Sequence, residues 1–175
     1  MVKSLILMGY MGCGKSAIGK RLAERKSIDF IDLDDYIEAE ENTTISKIFE
    51  QAGELNFRKK ERFYLEKLLS ENPQAVISLG GGTPCYFDNI NYVIQKEGFH
   101  SLYLKTSPKT LAVRLFEEKN HRPMIAHLNT PEALEEFIAK HLFERVPFYI
   151  MAEHHITTDD RSVEDLVDQI EKLLA

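Results

Sequence analysis

The stretch Gly9-Tyr-Met-Gly-Cys-Gly-Lys-Ser16 restricts the fold of this 175-residue chain more than any other feature. It follows an apolar run, VKSLILM over 2–8, and precedes a helical pattern from Lys15 to Lys26 with Ile18, Leu22 and Ala23 on one face. A G-x-x-x-x-G-K-[ST] loop between a strand and a helix is the phosphate-binding P-loop. Glycines let the backbone turn around an anion so that several N–H groups converge on it without a Cβ in the way. The helix that starts at Lys15 adds the positive end of its dipole. Lys15 is placed to reach the β- and γ-phosphates of a nucleoside triphosphate, and the Ser16 hydroxyl to ligate Mg²⁺. Such a loop does not by itself say whether the phosphoryl group goes to water, to a protein or to a small molecule. Cys13 inside it is either a thiol activated by the positive loop or a small residue at a free position.

The remaining pattern alternates short apolar strands with longer helices. Strands are expected at 2–8, 29–33, 75–79, 100–105 and 154–158. Helices are expected at 15–26, 35–41, 45–51, 54–70, about 88–97, 108–118 and roughly 131–145. A last helix begins at the capping box Ser162-Val-Glu-Asp165, with Val163, Leu166, Val167, Ile170, Leu173 and Leu174 inward. Nearly continuous apolar strands separated by helices imply a three-layer α/β fold, a parallel sheet covered on both faces. No linker divides the chain, so a single domain over 1–175 is expected.

Composition narrows the partners. The formal net charge of −6 speaks against nucleic acid, which calls for a basic face. No apolar run has membrane length, and SLILM is too short for a signal peptide. Two cysteines make neither a disulfide framework nor a zinc spacing, which suits a reducing cytoplasm.

Four further stretches bear on the acceptor. Asp32-Leu-Asp34 ends the second strand. Residues two apart on a strand share a face, so both carboxylates can point into the crevice, unless this is a solvated strand end running into a helix cap. Arg58 lies in a charged helix and, taken alone, reads as part of a solvated face. Gly80-Gly81-Gly82 ends the third strand and serves either close approach to a ligand or a plain turn. Arg122 lies in a non-periodic segment, 119–130, suited to a lid that excludes water and brings a cation to the phosphates. Arg145 in ERVPFY is the second late arginine; each of the two also reads as a surface charge.

In order and spacing, GYMGCGKSAIGKRLA, FIDLDDYIE, TISKIFEQAGELNFRKKE, VISLGGG, HRPMI and ERVPFY together resemble the shikimate kinases over nearly the whole chain. That resemblance implies a nucleoside-monophosphate-kinase-like P-loop fold with a five-stranded parallel sheet in the order 2-3-1-4-5. The implied shikimate-binding region spans about 32–61 and the lid about 115–128. The implied reaction phosphorylates the 3-hydroxyl of shikimate with ATP and Mg²⁺; a kinase of another small polyol acid such as gluconate is the alternative. By the same resemblance, Gly12, Cys13, Gly14, Lys15, Ser16 and Ala17 bind the phosphates, and Ser16 and Asp32 serve the metal. Asp34 orients the acceptor hydroxyl, and Arg58 and Arg145 grip the carboxylate. Gly80, with Gly81 and Gly82, approaches the ring; Arg122 is the lid arginine, and Arg114 and Arg161 flank adenine. Lys15, Asp34 and Arg122 are the implied catalytic set, in a monomer. Two departures stand out. Ala17 replaces the usual Thr, removing a hydroxyl donor at a cost of about 1 kcal/mol in nucleotide affinity, and Phe148 replaces a commoner Leu.

Overall fold

The apolar runs become strands whose burial follows their place in the sheet. The computed structural model describes residues 4–71 and 74–175. In it β1 (Ser4–Met8), β2 (Asp29–Asp32), β3 (Ala75–Ser78), β4 (Phe99–Lys105) and β5 (His154–Thr157) form one parallel sheet in the order β2-β3-β1-β4-β5. Val2 and Lys3, expected to open the first strand, lie outside the described residues. β1 and β3 are buried at every residue, whereas the edge strands β2 and β5 are partly exposed.

Seven α-helices are described: α1 (Lys15–Lys26), α2 (Leu33–Glu41), α3 (Ile45–Ser70), α4 (Asn89–Ile94), α5 (Pro108–Glu118), α6 (Pro131–Tyr149) and α7 (Val163–Leu173). From β1 the chain crosses toward β2, and from β3 it crosses back over β1 to β4. With right-handed crossovers this reversal puts α1, and α7 packed on it, on one face and the other helices on the opposite one. The crevice opens where the direction switches, at the carboxyl ends of β1 and β3. Those ends carry the glycine loop and the three-glycine stretch. Close approach of α1 depends on Gly19, where a Cβ would stand 2.4 Å from the Phe30 ring.

Several boundaries differ from expectation. β2 stops at Asp32 and α2 begins at Leu33, because the Asp32 side chain accepts from the Asp34 N–H and caps the helix. Continuing through Pro147, α6 reaches Tyr149 rather than stopping near 145; α4 is shorter than the pattern over 88–97 suggests. The two helices expected on either side of residues 52–53 run on as α3, with a break at Gly53, whose φ of 76° and ψ of 170° are not helical. In α7, Leu166, Val167 and Ile170 are buried, but Val163 and Leu173 are exposed where the helix ends overhang the core.

Candidate active site

Local sequence prepares the phosphate side. The long helices α2, α3, α5, α6 and α7 each have an N-terminal side-chain cap, from Asp32, Thr44, Ser107, Thr130 and Ser162. α1 has none: its N-cap is Gly14 at φ 102°, and no acidic residue lies in its first turn. Its first N–H groups are therefore free for an anion. Lys15 folds back over the loop, its Nζ donating to the carbonyls of Gly9 at 2.8 Å and Tyr10 at 3.2 Å. Cys13 is only 1% exposed, so it packs as a small core residue and the activated-thiol reading falls.

A cleft of about 430 Å³ joins the loop to the ends of β2 and β3, with Lys15, Ser16, Ala17, Asp32, Asp34 and Ser78 on its walls. Arg114 and Arg122 close it from α5 and the segment beyond; the Arg122 guanidinium pairs with Glu118 at 3.0 Å, and Arg114 donates to the Gly12 carbonyl at 3.2 Å. A side pocket behind the loop is bounded by Gly12, Cys13, Gly14, Arg114, Arg161 and Val163. The exposed end of α7 thus faces a pocket, though the Arg161 side chain itself turns to Gln169.

The second compartment, of about 190 Å³, shares Met11, Asp34, Gly80 and Gly81 with the first. It is smaller than the ~300–1,000 Å³ of drug-sized pockets, which suits a single small ring. Phe49 and Phe57 form one wall, their centroids 4.6 Å apart. Arg58 is buried, not solvated. Its guanidinium stacks 4.0 Å above the Tyr86 ring and is held by Glu61 through hydrogen bonds of 3.0 and 3.1 Å. Glu61, itself 1% exposed, also accepts from Thr83 Oγ1 at 2.7 Å. Arg58 Nε is buried without a hydrogen-bond partner, the Glu54 carboxylate approaching it only to 3.8 Å, so this donor is open to a ligand. Arg145 lines the same pocket beside His141 and makes no ion pair among the described residues. Burial and the adjacent Arg145 lower the His141 pKa, which keeps the positive charge on the guanidinium groups.

The three glycines are explained by what surrounds them. A Cβ on Gly80 would stand 3.1 Å from Asp34 Oδ1, one on Gly81 3.2 Å from Arg145 Nη1, and one on Gly82 2.6 Å from Arg58 Nη2. None has a positive φ, so space rather than backbone freedom requires them. Asp34 sits at the meeting point. Burial first, then the Asp32 and Glu61 carboxylates, push its pKa up to about 7, against the pull of Lys15 and Arg58.

The family model for shikimate kinase matches residues 11–175. The chain belongs to the shikimate kinase family. A shikimate kinase of Flavobacterium johnsoniae is 44% identical over 174 residues, which is 99% of this chain and 100% of that one. The one from Flavobacterium psychrophilum is 42% identical, with 99% of each chain covered. Among solved structures, the shikimate kinase of Bacteroides thetaiotaomicron superposes with a TM-score of 0.84 at 34% identity, covering 98% of both chains. That of Acinetobacter baumannii, solved in complex with shikimate, gives 0.84 at 31% identity, covering 99% of this chain and 93% of that one.

Within this shikimate kinase frame, one expectation is corrected in its reason. Asp32 and Asp34 do meet in the cleft, but not as alternate residues of a strand: one caps α2 and the other lies in its first turn. Other pocket residues escaped the sequence reading. Glu61, the aromatic pair Phe49 and Phe57, and Tyr149, whose hydroxyl donates to the Gly81 carbonyl, lie inside the stretches that carry the resemblance but were given no role of their own, and Thr83, which donates to Glu61, had no local signal. The spacing of Arg58 and Glu61, three apart on a helix, was the available clue.

Proposed function

We propose that this chain transfers the γ-phosphoryl group of ATP to the 3-hydroxyl of shikimate, giving shikimate 3-phosphate. One observation carries the reading most: a buried arginine with a donor lacking a hydrogen-bond partner, Arg58, and a second arginine without an ion pair among the described residues, Arg145, both line a ring-sized pocket that shares Asp34 with a phosphate cleft. A carboxylate on a hydroxylated ring meets those demands, because planar guanidinium pairs well with carboxylate.

In this reading the α1 N-terminus, Lys15 and Arg122 hold and neutralise the triphosphate, while Arg114 and Arg161 border the base. Lys15 exchanges its two loop carbonyls for phosphate oxygens when nucleotide arrives. Asp34 accepts from the ring hydroxyls and fixes the acceptor oxygen; because phosphoryl transfer passes through a loose transition state, orientation matters more than early proton removal. Gly80, Gly81 and Gly82 bring bare backbone against the ring. Ser16 and Asp32 would hold Mg²⁺, and the buried Ser78 Oγ in the same cleft, without a protein partner, supports an oxygen-rich ion environment there. When bound, the ion supplies charge neutralisation on the transferring group. The whole chain acts as one catalytic domain, with acceptor residues over about 32–61 and a lid within about 115–128. A monomer in the cytoplasm fits the free Cys13 and Cys85, and among the described residues no helix is long and apolar enough to cross a membrane.

An ADP-release assay with shikimate, quinate and gluconate side by side tests the proposal. Turnover with shikimate at least about 100-fold above the other two is expected, since a mispaired buried polar group costs a few kcal/mol. Comparable turnover with gluconate would replace the assignment by a kinase of broader polyol acids.

A further inference from the structure

At the sheet edge opposite the glycine loop, the starts of β4 and β5 bring together three side chains with metal-binding chemistry. The strand register pairs Leu102 with His154. His100, two residues before Leu102, therefore shares a face with His154 and lies diagonal to it. Glu153 immediately precedes β5, and its backbone N–H is fixed by Ser101 Oγ at 2.9 Å. As a result His100 Nδ1 stands 2.7 Å from one Glu153 oxygen and His154 Nε2 stands 3.5 Å from the other. The three ligand atoms all lie within 4.8 Å of one another, and the imidazole centroids are 5.5 Å apart.

His154 Nε2 is buried and has no hydrogen-bond partner. Its neighbour His155 faces the other way and satisfies its Nε2 on the carbonyls of Ile150 and Ala152. The orphan nitrogen is thus particular to the cluster, and a buried polar atom of this kind calls for an occupant. Both histidines are mostly covered, at 19% and 21% side-chain exposure, while Glu153 at 48% opens the cluster to solvent.

We propose that His100, Glu153 and His154 bind one divalent transition-metal ion of the zinc class, with water completing the coordination. Two imidazole nitrogens and a carboxylate suit zinc and its neighbours; magnesium and calcium prefer oxygen alone. Around a tetrahedral ion with bonds of about 2.0–2.1 Å the ligand atoms stand roughly 3.3 Å apart. The Glu153 contacts of 2.7 and 3.5 Å bracket that spacing, and the ligand atoms, all within 4.8 Å of one another, close to it by side-chain rotation. The site is separated from the end of β4 nearest the phosphate cleft by five residues, about 16 Å of strand. Its ion therefore acts on the fold, tying the edge strand β5 to β4, and takes no part in phosphoryl transfer.

Calorimetric titration of the whole protein with zinc chloride, in the presence of excess magnesium, tests this. One equivalent is expected to bind with a dissociation constant of about 10 μM or tighter and to raise the unfolding midpoint. His100→Gln and His154→Gln should each weaken binding at least tenfold, while retaining circular dichroism and zinc-free ADP release; His155→Gln, on the opposite face of β5, should leave zinc binding intact. Should either variant fail to fold, Glu153→Gln provides the same readout. Absence of saturable binding up to about 100 μM zinc, or binding that the two histidine variants leave intact, overturns the proposal.

Discussion

At the scale of single residues, the acceptor pocket is held by exclusion as much as by attraction. Gly82 leaves room for the Arg58 guanidinium where it stacks, since an added methyl would sit 2.6 Å from Nη2 and push it aside. Gly82→Ala is expected to raise KM for shikimate at least about tenfold, the loss of one charge-assisted hydrogen bond, with KM for ATP within about twofold. Equal effects on both would mean that the change spreads through β3. Asp34 offers a test with a definite sign. Its folded pKa of about 7 lies above the ordinary value near 4. Between those two pH values the folded chain keeps a proton that the unfolded chain has lost, so this group's contribution to stability falls as pH rises across the window. Asp34→Asn should therefore unfold at least about 2–4 °C above the parent at pH 8, with the advantage gone at pH 4, and should lose at least about tenfold in kcat. A gain of equal size at both pH values would contradict the burial-driven shift. These residues differ in legibility. Lys15 and Ser16 were readable because their roles follow from a local backbone motif. Arg58 was not readable from its own helix, because the Tyr86 ring, Glu61 and Gly82 that bury it come together only through packing.

Among the elements, α3 has the most to do with shaping the pocket. In an unbroken helix Phe49 and Phe57 would be separated by eight residues, about 12 Å along the axis. The break at Gly53 brings their centroids to 4.6 Å and turns both toward the ring site. At φ 76° and ψ 170° that backbone is nearly restricted to glycine, while a Cβ there would meet nothing within 4 Å. Gly53→Ala should then cost about 1–3 kcal/mol from conformation alone, read as a lower urea midpoint at constant m, and should raise KM for shikimate. A neutral result would show that the hinge tolerates side chains. Sequence located the two helical stretches on either side of this point, since each has its own periodicity, but not the angle between them. It also extended β2 too far, because the capping role of Asp32 competes with strand continuation only when the helix after it forms. The strands themselves were clear: their continuous apolar runs fit only a sheet covered on both sides.

For the whole molecule, sheet order and the position of the crevice follow from one reversal in the direction of crossover. Motion is expected to concentrate past α5. Leu115 is fully buried, whereas residues 119–124 have no buried side chain and the segment meets the core through Ile125 and the half-buried Leu128. Hydrogen-exchange protection over 119–128 should rise when ATP and shikimate bind together, with little change over 108–116. Equal protection in the empty and loaded protein would argue against closure. The bounds of the proposed lid were thus only partly visible in sequence, where helix and loop were separated by composition but not by burial.

Asp34, Gly80 and Gly81 form a partition common to both chambers. A tethered inhibitor with an anionic carbocycle at one end and a polyphosphate at the other would need only a short bridge to span that thin wall. Joining the two warheads makes the second capture intramolecular, so such a compound should gain orders of magnitude over its separate halves.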